Sequence, residues 1–294
     1  MSVKVSICIP TYNNVDEVER LLRSIFVQTY TDFEVHISDD STNREIEELV
    51  KRKYAQVDYR HNEKPYGHIF NWNEAIRMSR GEYIKIMFSD DWFTTEDSLA
   101  SFVQMLEENP DANFVFSGSR QVNLESEAWY DRHAEEQFLE RLRRDYHLLF
   151  LGNQIGAPSA VMYRRGKNVA LFDEQSNWAS DMFLYFDILA QNPRFVCSTE
   201  PLISIGVHEH QYTESFSEKD ERIYQDYRYM FEKYHLVQIK ECRSFFLKKY
   251  MLPFGKGLSE AKKLHLPITE YGTAWLHEQV QTVKSFVLHR LGVV

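Results

Sequence analysis

Cysteine is scarce in this chain: three in 294 residues, Cys8, Cys197 and Cys242, scattered and odd in number. They form no disulfide framework and match no zinc-ligand spacing. Glycine is sparse too, at 11 residues, and the turn after the first apolar run reads Pro10-Thr11-Tyr12-Asn13. A dinucleotide-dependent oxidoreductase or epimerase needs a glycine-rich turn there, to bring backbone close to a pyrophosphate, so that class is set aside. No apolar run reaches the roughly 20 residues that span a bilayer. The opening Met-Ser-Val-Lys-Val-Ser-Ile lacks a signal-peptide pattern, so the cytoplasm is the expected location. Positive charge is in deficit: 34 Lys and Arg against 44 Asp and Glu, net −10. That balance, with no recognition motif, opposes a nucleic-acid-binding module. There is no internal repeat and no low-complexity tract.

What is present is a folded-protein composition, 43% hydrophobic and 27% charged, with 14% aromatics. The charge is uneven. Residues 240–294 hold nine Lys/Arg and four Asp/Glu, a surplus of +5, which leaves −15 of the net −10 on residues 1–239. Val3 to Pro10 reads as a buried strand stopped by proline. Asp16 opens a helix with Val18, Leu21, Leu22, Ile25 and Phe26 on one face. Phe33–Ser38 is a second strand, residues 45–53 a polar helix, residues 57–60 a short third strand, and residues 70–79 a helix closed by Gly81. Tyr83–Phe88 is a fourth strand. Short polar links between alternating strands and helices mean βαβ units and a mostly parallel sheet. Further on, the pattern gives a helix over 98–108, strands at 112–117 and 159–163, a helical stretch from Ala134, a helix within 178–190, short strands at 195–197 and 202–204, and helices from Glu218 onward.

Ligands of such sheets sit outside the carboxyl ends of the strands. Tyr12, Asp39, Asp90 and Asp91 all fall at such ends. Asp90-Asp91 ends the run Ile84-Lys85-Ile86-Met87-Phe88-Ser89, and Asp39-Asp40 ends the second strand. Adjacent carboxylates repel, and a divalent cation removes the repulsion. The pairs point to an enzyme that handles a nucleotide diphosphate through a metal; a solvated acidic turn or a helix cap is the plainer alternative.

These residues, in this order, resemble the family 2 glycosyltransferases. The matching segments are Val-Ser-Ile-Cys-Ile-Pro-Thr-Tyr-Asn-Asn at the start, Gln28 to Val35 with Ser38-Asp39-Asp40-Ser41, and Gly81-Glu82-Tyr83-Ile84 leading into Ser89-Asp90-Asp91. The likeness covers roughly residues 3–210 and is densest in the first hundred. It implies a GT-A fold: an α/β, Rossmann-like, mixed and mostly parallel central sheet flanked by helices. It implies a transferase domain over 1–215, with a nucleotide-sugar half (1–118) and an acceptor half (119–215), and a helical extension over 216–294. The implied reaction moves a sugar from a nucleotide-diphosphate donor, UDP foremost, to the hydroxyl of a glycan or lipid-linked glycan acceptor, with inversion and with Mn²⁺ or Mg²⁺. One departure stands out: the family's common Asp-X-Asp-Asp has Phe88 in its first position here.

The resemblance assigns roles. Asp91 ligates the metal and Asp90 accepts hydrogen bonds from the ribose or donor sugar. Asp39 meets the N–H edge of the base, the ring of Tyr12 stacks on it, and Pro10, Thr11 and Asn13 complete the nucleotide loop. Asn73 lies near the donor. Asp39 is otherwise a turn former, Tyr12 a loop aromatic and Asn73 a helix-surface residue. Asp181, after Ser180 at a helix start, is the base that takes the acceptor's proton; it reads equally as a helix cap, and Asp173 and Asp187 are rivals. His208 is expected to close on the pyrophosphate or complete the metal shell, with His210 a weaker candidate and surface histidines the alternative. Leu276, Val280, Val283, Val287 and Leu291 form a helical stripe that packs on the protein or a second copy, or rests on an anionic membrane surface. The competing function is a nucleotide-sugar-binding protein that no longer transfers, with Phe88 and Ser180 as its signs.

Overall fold

The computed structural model describes residues 3–207, 216–217 and 219–290, with side chains described as far as residue 280. The chain forms two compact units: Met1–Tyr146 with Asn153–Ser176 and Ser180–Glu214, and His147–Gly152 with Asn177–Ala179 and Ser215–Val294.

The first unit is built on a nine-stranded sheet among the described residues. Its opening half alternates β1 (Val5–Thr11), α1 (Val15–Phe26), β2 (Phe33–Asp39), α2 (Glu45–Lys53), β3 (Asp58–His61), α3 (His68–Met78) and β4 (Tyr83–Ile86). Then come β5 (Asp91–Phe93), α4 (Ser98–Glu108), β6 (Phe114–Asn123), β7 (Trp129–Arg132), α5 (Glu136–Arg144), β8 (Val161–Arg164), α6 (Ser180–Gln191) and β9 (Phe195–Val207). The strand order is β3-β2-β1-β4-β8-β6-β9-β5, with β7 paired to β6. The pairs β1–β2, β1–β4, β2–β3 and β6–β9 are parallel. β8 enters antiparallel between β4 and β6.

Why these segments take these forms is plain from their chemistry. Every residue of β1 is buried, as a parallel strand covered on both faces requires. α1 carries Asp16 and Glu17 in its first turn and Arg23 in its last, complementing the helix dipole. It buries Val18, Leu21, Leu22 and Ile25 completely against the sheet core. Full burial of each side chain contributes about 1.5–3 kcal/mol. Gly81 cannot carry a side chain, because a Cβ there would lie 2.7 Å from the Ser6 nitrogen.

Several boundaries differ from the sequence reading. β1 runs through Pro10 to Thr11. Even-numbered residues of β1 face β4, as Met87 N–H donating to Cys8 O shows, and that ladder pairs only as far as Cys8–Ile86. The missing N–H of Pro10 therefore falls past its end. β4 stops at Ile86, and Asp91 opens a separate strand paired to β9. The two short strands expected after residue 195 are one strand with a register shift against β6. The β6–β7 hairpin carries exposed Trp129 and Tyr130 and was not anticipated.

The second unit holds α7 (Glu221–Lys233), α8 (Lys240–Phe246) continued by one wider turn at Leu247–Met251, α9 (Leu258–Lys263) and α10 (Ile268–Arg290). Its core is aromatic: Tyr227 stacks on Tyr250 at 3.7 Å, Phe231 on Phe246 at 4.7 Å, and Phe150 meets both Tyr227 and Phe231. On α10, Ile268, Trp275, Leu276 and Val280 are exposed. The side chains of Val283 and Val287, and Leu291 itself, lie outside the described residues. No helix among the described residues is long and apolar enough to cross a membrane.

Candidate active site

The carboxyl ends of β1 and β2 form one rim of the site. Tyr12 follows β1 and is 54% exposed, its ring free of the core. Asn13 takes a left-handed conformation (φ 58°), and its Oδ1 accepts from Thr42 N at 2.9 Å while its own N–H donates to Ser41 Oγ at 2.8 Å. The two turns are thereby stitched together. Thr11 O accepts from Asp40 N and from Asn71 Nδ2, both at 3.0 Å.

Asp39 is fully buried, and both of its oxygens accept hydrogen bonds. Its Oδ1 accepts from Thr11 Oγ1 at 3.0 Å, from Ser41 N at 2.8 Å and from the Ser41 hydroxyl. Its Oδ2 accepts from Tyr59 OH at 2.5 Å, with His61 Nδ1 at 3.5 Å. The carboxylate, expected to meet a base edge, here brackets β1, β2 and β3. Asp40 is tied as well, to Asn62 Nδ2 at 2.7 Å and to Gly67 N at 2.9 Å, which fixes the approach to α3. Asn73 is likewise taken up inside the fold. Its amide donates to Phe172 O at 2.9 Å and accepts from Phe172 N at 2.8 Å, so it clamps α3 to a segment 99 residues away.

Asp91 behaves differently. It is 2% exposed, and its Oδ1 is buried with no hydrogen-bond partner among the described residues. The Ser159 side chain and the Gly206 N–H reach its carboxylate. Burial pushes its pKa well above the usual carboxylate range and the charge of Asp90 adds to that, against the opposing pull of Ser159, Lys85 and Gly206. Lys85 is also fully buried: its ammonium donates to Ser159 O and to Ile86 O, and lies 4.8 Å from the Phe102 ring. Burial lowers its pKa to about 7, with the charge of Asp91 acting the other way. Gly206 must be glycine, since a Cβ would sit 2.5 Å from Asp90 O. Arg20 donates to the same Asp90 carbonyl at 3.0 Å and lies over the Trp92 ring at 4.3 Å. Phe88, in the position of the family's first acid, packs on Trp72 at 4.8 Å, and Trp72 meets Phe172 edge-on.

Asp181 sits in the first turn of α6. Its Oδ2 accepts from Asn153 Nδ2 at 2.6 Å and its Oδ1 from Met182 N at 2.8 Å. Asn153 in turn receives the N–H groups of Ile155 and Gly156, so one amide side chain shapes a turn and aims the carboxylate. Of the rivals, Asp173 receives Gln175 N at 2.9 Å in its own turn, and Asp187 lies in the body of α6 beside Tyr146. His208 and His210 fall outside the described residues.

Sequence reasoning missed Ser159, Gly206, Asn153 and Arg20. A lysine in the apolar strand Tyr83-Ile84-Lys85-Ile86 was the one available signal of an unusual interior. Among the described residues no group of three or more His, Cys, Asp or Glu converges on one point. The residues nevertheless suit Mn²⁺ or Mg²⁺, which take hard oxygen donors, few of them from protein and the rest from phosphate and water. The orphaned Oδ1 of Asp91 is such a donor.

Residues 6–172 match glycosyl transferase family 2, and the chain belongs to that family. An uncharacterized glycosyltransferase of Haemophilus influenzae is 28% identical over 163 residues, covering 55% of this chain and 53% of that protein. The chain spans 18% to 53% of the length of the first curated relatives it matches. Among solved structures it resembles Staphylococcus aureus TarS 1–349 in complex with UDP-GlcNAc, with a TM-score of 0.65, 17% identity, and 92% of this chain and 79% of that one covered. The mannosyltransferase PcManGT of Pyrobaculum calidifontis, in complex with GDP-Man and Mn²⁺, gives a TM-score of 0.60 at 18% identity, covering all of this chain and 80% of that one. At these identities the likeness establishes the fold, GT-A with a mixed central sheet.

Proposed function

We propose that this chain is an inverting glycosyltransferase that moves a sugar from a nucleotide-diphosphate donor, UDP-linked, to a hydroxyl of a glycan acceptor. The observation that carries the reading is the buried Asp91 Oδ1, without a partner among the described residues, beside Asp90 at the ligand-binding edge of a family 2 sheet. The names of the bound ligands in TarS and PcManGT, UDP-GlcNAc and GDP-Man with Mn²⁺, support a donor of this kind. Three free thiols suit a reducing cytoplasm.

Each residue has a task in this reading. The exposed ring of Tyr12 stacks on the base, and the stitched turns of Asn13 and Ser41 hold the shape of the loop. Asp91 holds a divalent ion through its orphaned oxygen, and Asp90 accepts from ribose or sugar hydroxyls. The ion, when bound, neutralises the charge that builds on the leaving diphosphate. Asp181 accepts the proton of the acceptor hydroxyl as that oxygen bonds to the anomeric carbon and the diphosphate departs with the bonding pair. Asp39 ties the strand ends of the nucleotide side together and Asn73 holds α3 in place beside it.

The test is calorimetry of UDP with the purified protein, with Mn²⁺ and then with chelator, followed by a panel of UDP-sugars and identification of the anomeric configuration by NMR. The reading expects metal-dependent nucleotide binding that Asp91→Ala abolishes and turnover that Asp181→Asn abolishes while binding persists. Nucleotide affinity indifferent to chelator sinks it.

A further inference from the structure

Tyr130, on β7, is 64% exposed, the most exposed of the large apolar side chains among the described residues, and the reaction outlined above gives it no task. The ladders of the sheet place it. Asp91 pairs with Ile205, Ile205 with Gln121, and Gln121 with Tyr130, in one row across β5, β9, β6 and β7. Residues directly opposite one another share a face of the sheet, so Tyr130 stands on the face that carries the Asp91 side chain. At about 4.8 Å between neighbouring strands, the row spans roughly 14 Å from backbone to backbone. The end of β7 is tied to the other half of the chemistry. Arg132, on the same face as Tyr130, donates through Nη2 to Asn153 O at 3.4 Å. Asn153 is the residue whose amide holds the Asp181 carboxylate. Glu135 N donates to Gln154 Oε1 at 2.9 Å, a second tie from the strand's exit to the same turn. β7 is thus in register with one carboxylate of the proposed reaction and bonded to the turn that aims the other.

Trp129 precedes Tyr130 and so falls on the opposite face, where it is already covered. The Arg120 guanidinium lies 3.9 Å from its ring centre and pairs with Asp131 at 2.8 and 3.1 Å. That brace stiffens the hairpin. Over the Tyr130 ring no cation or second ring stands among the described residues.

We propose that Tyr130 is an acceptor-binding residue, whose ring face takes a pyranose ring of the glycan that receives the sugar. The proposal rests on the transferase reading above, and the chemistry of the ring names the class of occupant. A pyranose turns C–H bonds outward on one face, apolar and slightly positive, and the face of an aromatic ring is apolar and negative. The sugar's hydroxyls point away from that contact, toward polar groups. Gln121, directly opposite Tyr130, supplies an amide there, fixed by donating to Ser119 Oγ at 3.0 Å. Tyrosine has only two side-chain angles to freeze, so it offers this area at low entropic cost. Tyr12 and Tyr130, both exposed, then divide the substrates: one ring for the donor's base, the other for a sugar of the acceptor.

The experiment compares wild type, Tyr130→Ala, Tyr130→Phe and Trp129→Ala. Binding of chitotriose, maltotriose, cellotriose and mannotriose is followed by saturation-transfer NMR and titration. Transfer to the best binder is then measured with the nucleotide sugar that the enzyme hydrolyses in Mn²⁺. Tyr130→Ala is expected to weaken oligosaccharide binding and raise acceptor KM about tenfold, the scale of one stacking contact, with donor KM, UDP affinity and melting temperature unchanged. Tyr130→Phe keeps the ring face, Trp129→Ala alters the other side of the strand, and both are expected to stay within about twofold of wild type. Wild-type oligosaccharide affinity in Tyr130→Ala overturns the proposal, as does a Tyr130→Phe variant as weak as Tyr130→Ala. Failure of wild type to bind any member of the panel overturns it too. So does a dimer that Tyr130→Ala dissolves, since the ring is then an interface between copies. Donor hydrolysis tests the transferase reading separately: its absence in wild type sinks that reading, and its presence beside an indifferent Tyr130→Ala sinks only the role of Tyr130.

Discussion

Asp39 and Asp91 each belong to an Asp–Asp pair at the rim of the same sheet, and both are buried, yet their carboxylates are used in opposite ways. Asp39 accepts from Thr11, Ser41 and Tyr59, with His61 near, so both of its oxygens are engaged within the fold. Asp91 keeps one buried oxygen with nothing to receive among the described residues. A buried acceptor without a partner carries a penalty of about 1–3 kcal/mol, so the first arrangement stabilises the fold and the second is tolerated at its expense. The lesson is that like dipeptides at like places differ in how far the fold satisfies their carboxylates, which position alone does not tell.

Substitutions at the two pairs test that division. The largest effect is expected for Asp91→Asn: metal-dependent nucleotide affinity falls by at least about 100-fold, measured by calorimetry with Mn²⁺, because the amide cannot supply an anionic donor. The same variant is expected to melt higher than wild type in chelator at pH 8. Next is Asp39→Asn, which leaves Thr11, Ser41 and Tyr59 donors competing for one oxygen. It is expected to lower stability by about 2 kcal/mol in urea titration while the folded protein keeps its Mn²⁺ dependence. A larger loss of metal dependence than of stability there would break the comparison.

Smaller is Ser159→Ala, which removes a partner of the Asp91 carboxylate and the acceptor for Phe88 N at 2.9 Å. About a tenfold loss of Mn²⁺ affinity is expected, the usual scale for a group that orients a ligand. The smallest effect is that of pH. Burial raises the folded pKa of Asp91 above its ordinary 3.8, so the metal-free folded protein holds a proton that the unfolded chain has released. Its contribution to stability is full below that ordinary value and is lost as pH rises through the folded pKa. The melting temperature in chelator is therefore expected to fall with rising pH more steeply in wild type than in Asp91→Asn. Mn²⁺-dependent nucleotide affinity is expected to rise over the same range.

The alternation of β1 to β4 with α1 to α3 was legible because each segment carries its own period and end signals. α1 shows its face at Val18, Leu21, Leu22 and Ile25. What was not legible depends on distant partners. β5 is three residues long and exists only by pairing with β9, so the acids seemed to end a strand when Asp91 begins one. The satisfaction of Asp39 comes from Tyr59 and His61, some 20 residues on, and the clamp of Asn73 from Phe172. Asn153 lies in a loop and Ser159 in the single 3-10 turn Pro158–Ala160, and neither local pattern names a target. Local pattern sets which segments meet at the strand ends, and long-range hydrogen bonding decides which of their side chains remain available.

The pairing of β5 with β9 also bears on how the protein is made. Asp91 opposes Ile205, a partner 114 residues later in the chain. At a synthesis rate of about 5–20 residues per second, the ribosome needs roughly 6 to 23 seconds to deliver that partner after Asp91 emerges. Through that interval the nascent polypeptide can pair β1 with β2, β3 and β4 but lacks the strand that holds β5 in the sheet. Asp91 thus gains its place in the sheet only when nearly all of the strands have been translated.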